Sequence, residues 1–162
     1  MLLDVHNAHL PPGVSRGLIK AQAFEAIRLR IDTDTQNARV LCGDFNAPVR
    51  ENVAGPISEG SGPWTEPEIE RWKLAEKRVV DNPEMRDVYR DVHARGLVFP
   101  VSHFTGRIER PTAHRYDHVF ASSDMQTESC VYLSHWLERT EADGRLSDHA
   151  PVEAHLSVAR TC

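Results

Sequence analysis

The stretch Arg39-Val40-Leu41-Cys42-Gly43-Asp44-Phe45-Asn46-Ala47-Pro48 decides how this sequence is read. A short apolar run, the pattern of a buried strand, stops at a glycine and at once offers a carboxylate and a carboxamide. Side chains alternate across a strand, so Asp44 and Asn46 at alternate positions share a face. Taken alone, Gly-Asp-Phe-Asn fits an ordinary turn with an Asx cap. Working outward, two other stretches combine an apolar strand with an acid. In HRYDHVFAS, Asp117 and His118 sit beside Val119 and Phe120; in RLSDHAPVEAHL, Asp148 and His149 precede Pro151 and a strand. A fourth cluster, VHNAHLPPG, puts Asn7 and His9 just after an opening strand. Any one of these is an ordinary loop end. Together they place Asp, Asn and His repeatedly at strand termini.

The rest of the chain alternates strands and helices early and crowds strands late. Strands are expected at 2–6, 39–43, 97–101, 116–121, 129–133 and 152–158. Ile19, Ala23, Phe24, Ile27 and Ile31 recur at helical spacing over 18–31, with Lys20, Arg28 and Arg30 read as lying off that stripe. Thr65 and Glu68 form a capping box that opens a helix running towards Val80. Asn82-Pro83 reads as another helix start, closed by Gly96. The Gly-, Ser- and Pro-rich segment 53–63 reads as a loop. The fold class expected is a mixed α/β layered fold.

Composition sets the bounds. The chain has 162 residues, 40% hydrophobic and 27% charged, with a formal charge of −5, as expected of one soluble domain or part of a larger one. No polybasic footprint for tight nucleic-acid binding accompanies that balance. Cys42, Cys130 and Cys162 are odd in number and show no paired spacing, which argues for a reducing, cytoplasmic compartment. No apolar stretch approaches the roughly 18 residues of a membrane helix, so no membrane partner is expected. The chain opens almost inside a strand, which suggests a missing neighbour. A zinc module is disfavoured: there is no Cys-x-x-Cys, and His114 and His118 lie four apart in a strand, where that spacing is not a helical chelating pair.

Asp, Asn and His are the side chains that phosphodiester hydrolysis requires. A hard cation needs carboxylates, water needs a group that orients or deprotonates it, and the phosphoryl oxygens need donors. A histidine can bridge the phosphate and an acid that fixes its tautomer. LCGDFNAP, RYDHVF and LSDHAPV, in that order, resemble the motifs of the endonuclease/exonuclease/phosphatase superfamily, and NAHLPPG resembles its Asn-x-His-Leu element, with Gln22 in the following helix also fitting. The resemblance spans essentially the whole chain, residues 1–162, as a partial domain of that family.

That resemblance implies the C-terminal half of a four-layer α/β/β/α sandwich with mixed β-sheets, and divalent-metal-dependent phosphoester hydrolysis. Mg²⁺ is the expected ion and Mn²⁺ the alternative. Asp44 would activate the attacking water, and Asn46 would bind the phosphate beside it. His149 would contact the scissile phosphate, with Asp117 orienting it. Asp148 and Asp44 would lie at the metal. His9 would be a second phosphate contact, supported by Asn7. Arg115, with Arg107 and Arg110, could line a substrate groove, and Thr105 and Thr112 lie before the Asp117 strand. The family's N-terminal metal-binding glutamate has no counterpart here, because Glu25, Glu51 and Glu59 lie in other contexts. The expected partners are therefore a phosphodiester substrate such as DNA, and a second copy or a separate N-terminal half that supplies the missing sheet. A catalytically dead remnant that serves in binding or assembly is the alternative.

Overall fold

The computed structural model describes residues 2–12, 18–33, 37–47, 65–93, 100–107, 110–138 and 147–158. Pro48, the 53–63 segment, Trp64, Gly96, residues 97–99 of an expected strand, Glu51, Glu59 and Cys162 lie outside them, as do the side chains of Thr105, Arg107, Arg110 and Thr112.

Strand β1 (Leu3–His9) leads into helix α1 (Leu18–Thr33), which returns the chain to β2 (Ala38–Asp44), parallel to β1. Helix α2 (Glu66–Val80) starts where the capping box predicts. The Glu68 carboxylate accepts from the Thr65 backbone N–H and from its hydroxyl, both at 2.8 Å. Strand β3 (Met85–Asp87), helix α3 (Val88–Val92), the strands β4 (His103–Arg107) and β5 (Arg110–His114), strand β6 (Asp117–Ser122), strand β7 (Met125–Tyr132) and strand β8 (Val152–Val158) complete the described elements, with a 3₁₀ turn at Ser134–Glu138. The principal sheet has the order β1-β2-β6-β3 and is mixed, because β6 runs antiparallel to both β2 and β3.

Three local expectations are corrected. No helix starts at Asn82-Pro83. The Asn82 side chain instead accepts from the Glu84 N–H at 2.9 Å, Met85–Asp87 pairs with Ser122–Phe120, and the helix begins only after Asp87, whose carboxylate caps it. Tertiary pairing overrides the local cap signal there. Val101 is not in the strand expected over 97–101, and Arg107 and Arg110, named above as groove candidates, pair with each other across two antiparallel strands. Strand β1 also runs on through His9, so Asn7 and His9 lie within it rather than after it.

Two cores flank the sheet. On one face Ala21, Phe24 and Ile31 of α1 and Ala75 and Val79 of α2 close over Leu41, Phe45, Met85 and Phe120. On the other, Ala38, Val40 and Ala121 meet Val88, Tyr89, Met125 and Cys130, with Val152, Ala154 and Leu156 of β8 packed alongside. The layering is therefore helix, sheet, then a second β layer, the mixed α/β sandwich that was expected. Leu3 and Val5, in register with Ala38 and Val40, continue this second face, yet they are 51% and 61% exposed. Among the described residues, no helix is long and apolar enough to cross a membrane.

Candidate active site

Sheet register assembles the site. His9, the last residue of β1, pairs with Asp44, the last of β2, and Asp44 pairs with Asp117, the first of β6. One row across three strands thus carries an imidazole and two carboxylates to the same sheet end. Gly43 makes the approach of β1 and β2 achievable: its φ is +134°, and a Cβ there would fall 1.9 Å from the Ala8 carbonyl oxygen. No other residue fits that position without parting the strands.

The turn after β2 is locked from several sides. The Asn46 backbone N–H donates to Asp44 Oδ1 at 2.8 Å, and Asn46 itself adopts φ +47°, which asparagine tolerates better than most residues. Its Nδ2 donates to Asp44 Oδ2 and to the Leu10 carbonyl, both at 2.8 Å. The carboxamide donors therefore point inward, and Asn46 fixes the Asp44 carboxylate.

His149 enters from the segment before β8. Its Nδ1 lies 2.8 Å from Asp117 Oδ2 and its Nε2 4.0 Å from Asp44 Oδ2, while His9 Nε2 lies 3.5 Å from the same Asp44 oxygen. Asp44, Asp117 and His149 each offer a ligand atom within 4.8 Å of the others. Burial raises the Asp44 pKa and the Asp117 charge adds to the effect, outweighing the Asn46 hydrogen bond and the His149 and His9 charges. Burial alone would depress His149, but the Asp117 hydrogen bond and charge, with Asp44 and Asp148, win and raise it. The two groups are thus driven in the same direction, towards a protonated imidazole facing a more basic carboxylate.

Asn7 stands exposed beside this row, its Oδ1 near Gly43. Asp148 does not join Asp44. It groups with His103 and His149, with Oδ2 3.9 Å from His103 Nδ1. His118, next to Asp117, turns to the other face of β6, as strand alternation requires. It is buried against Phe45 and Phe120, 3.3 Å from the Ala47 carbonyl, and desolvation pushes its pKa down to about 3.

The expectation that Arg115 lines a substrate groove is overturned. Arg115 is 1% exposed and grips Asp87 with both terminal nitrogens, at 2.6 and 2.7 Å, while Nε donates to the Tyr132 hydroxyl at 2.8 Å. Tyr132 in turn donates to the Asp117 carbonyl. Arg115 therefore supports the strand that carries Asp117 and does not reach substrate.

The sequence reading missed Lys20. It is fully buried, and its Nζ donates to the Asn46 carbonyl at 2.6 Å over the Trp72 ring at 5.3 Å. Lys20, Phe24, Ile27 and Ile31 follow one helical stripe, so the spacing that marked the core also marked Lys20 as inward. Desolvation lowers its pKa from 10.5 to about 8 against the favourable charges of Glu76 and Asp44. Between those values the unfolded chain binds the extra proton, so stability should rise with pH across that window. Urea unfolding from pH 7.5 to 10.5 should show the rise, and Lys20→Met should flatten it.

No family model matches the sequence, and sequence comparison with curated proteins finds no match. Solved structures do share the fold. An AP endonuclease from Archaeoglobus fulgidus superposes with a TM-score of 0.67 at 22% identity, over 96% of this chain and 62% of that one. The Neisseria 3' phosphatase NExo, bound to a product DNA hairpin, gives 0.62 at 23% identity, over 94% and 60%. An endonuclease/exonuclease/phosphatase family protein from Bacteroides thetaiotaomicron gives 0.55 at 17%, over 94% and 48%. The chain thus spans about half to three-fifths of the structures it resembles.

Proposed function

From a chain that carries part of the endonuclease/exonuclease/phosphatase fold, we propose a divalent-metal-dependent phosphoester hydrolase acting on phosphodiesters, with DNA the favoured substrate. The observation that carries this reading is the Asp44–Asp117–His149 group at one sheet end.

Asp44, its pKa raised and its orientation fixed by Asn46, is the base that orients and deprotonates the attacking water. His149, held by Asp117 and biased towards its cationic form, donates through Nε2 to a phosphoryl oxygen as charge builds there. His9, 81% exposed at the rim, adds a second imidazole contact, with Asn7 beside it. Phosphate binding by the Asn46 carboxamide would require it to release Leu10 or Asp44.

A cation fits this donor set, because it would stabilise the Asp44 carboxylate against the burial and the Asp117 charge that raise its pKa. Asp44 and Asp117 are the carboxylates that would hold Mg²⁺ or Mn²⁺, and the ion supplies charge neutralisation for the phosphoryl oxygens. Asp148 stands at the margin with His103.

Exposed Leu3 and Val5 on the β1 edge favour a partner that continues the second face, either another copy or a separate polypeptide supplying a sheet. Hydrolysis of a generic phosphodiester and of abasic duplex DNA, with Mg²⁺, Mn²⁺ or EDTA, tests the reading. Metal-dependent turnover should fall about 10²–10⁴-fold in both Asp44→Ala and His149→Ala. Turnover that survives both substitutions would overturn it.

A further inference from the structure

Asp117 and His149 are 32 residues apart, and no described strand ladder joins their elements: β6 pairs with β2 and β3, and β8 with β7. The residue just before β4 fills that gap. Ser102 is fully buried and directs its polar atoms at both elements. Its hydroxyl oxygen accepts from the backbone N–H groups of Tyr116 and Asp117, at 2.9 and 3.1 Å. Its carbonyl accepts from the Ala150 N–H at 2.7 Å, and its own N–H donates to the His114 carbonyl at 2.9 Å. One residue thus holds the peptide that carries Asp117 and the residue that follows His149.

A hydroxyl oxygen has two acceptor sites, and here a backbone donor takes each of them. Without that oxygen, two N–H groups beside the Asp117 carboxylate lose their acceptor, and the peptide that bears them must shift to find another. The Tyr132 hydroxyl also holds Asp117, at its carbonyl, but it acts from β7, whose pairing with β8 begins at Val152, beyond His149. His103 seats the same segment: it bridges to His149 through the backbone, and the two rings lie 4.5 Å apart. The 2.8 Å separation of His149 Nδ1 and Asp117 Oδ2 is therefore set where Ser102 joins the two backbones.

We propose that Ser102 is a positioning residue for the hydrolytic pair: its hydroxyl fixes the backbone that carries Asp117, and its carbonyl fixes the backbone that follows His149. Being fully buried, it does not itself reach substrate. Loss of turnover on its removal rests on the hydrolytic reading; the placement of Asp117 against His149 does not.

Ser102→Ala removes the hydroxyl arm and leaves both backbone contacts. In the metal-free chain, the proton on His149 Nδ1 should give a downfield NMR signal from its hydrogen bond to the Asp117 carboxylate. Ser102→Ala should move that signal upfield or lose it to exchange. It should also lower kcat by about tenfold to a hundredfold with KM within about twofold, the size of loss that misplacement of order 1 Å brings. Ser102→Thr, which keeps the oxygen, should retain both signal and rate. Asn82→Ala removes another side-chain acceptor of a backbone N–H, near the opposite end of β6, and should change neither. Ser102→Cys, with only a weak sulfur acceptor, gives the same reading if Ser102→Ala fails to fold. An unmoved His149 signal in whichever variant folds, or an equal change in Asn82→Ala, would overturn the proposal. Should the unaltered chain show no turnover, the hydrolytic reading falls and the signal alone decides the positioning.

Discussion

Arg115→Leu should lower the unfolding free energy by about 3–5 kcal/mol, the range for breaking a buried ion pair by removing one partner. Arg115 and Asp87 meet through two hydrogen bonds with side chains only 1% and 15% exposed, and Arg115 also lies 5.1 Å from the Tyr89 ring. Truncation leaves the Asp87 carboxylate buried without its counter-ion. At present the Arg115 hydrogen bonds and charge outweigh desolvation and hold the Asp87 pKa below the usual carboxylate value. Removing both charges in Arg115→Leu/Asp87→Leu should recover much of the loss, because the desolvation penalty goes with them. Urea unfolding of the four proteins reads the cycle. A loss under about 1 kcal/mol for Arg115→Leu would place the pair among solvated surface ion pairs.

Asp117→Asn should reduce turnover by about 10²–10⁴-fold with little change in fold, since it removes the charge behind His149 and offers an amide donor where Nδ1 needs an acceptor. The effect should fall mainly on kcat. The imidazole itself gives an independent reading. In the unaltered chain the His149 pKa is raised, so its contribution to stability is complete below the ordinary value of 6.5 and is lost as pH rises through the folded value. In Asp117→Asn the His149 titration, followed by NMR, should move downward and that window should close. A His149 titration unchanged in the variant would mean that Asp117 does not govern it.

How much of this was legible in the sequence follows from where each signal resides. Asp44, Asp117 and His149 stood beside strand termini that period-two pattern and turn residues mark locally, but it was the family resemblance, not that pattern, that implied they meet. Arg115 could not be placed, because its partner Asp87 lies 28 residues away at the end of β3 and no periodicity links them. The Asn82-Pro83 signal was sound as local chemistry, but pairing of Met85–Asp87 with β6 outweighed it. Lys20 was legible in principle: it sits on the apolar stripe of α1, and its charge masked its position. The distribution of the acids was the subtler miss. Asp148 and His149 are adjacent and group together with His103, while His149 alone also reaches Asp117.

The edge position of β1 divides the site by how firmly each part is held. Its only described strand partner is β2, whereas β2 is held by β6 on its other side. Peeling β1 away therefore breaks one ladder and leaves the β2–β6 ladder closed, a sub-global opening of lower free energy than full unfolding. Asn7 and His9 ride on the strand held by one described ladder, while Asp44 and Asp117 stand on strands held by two.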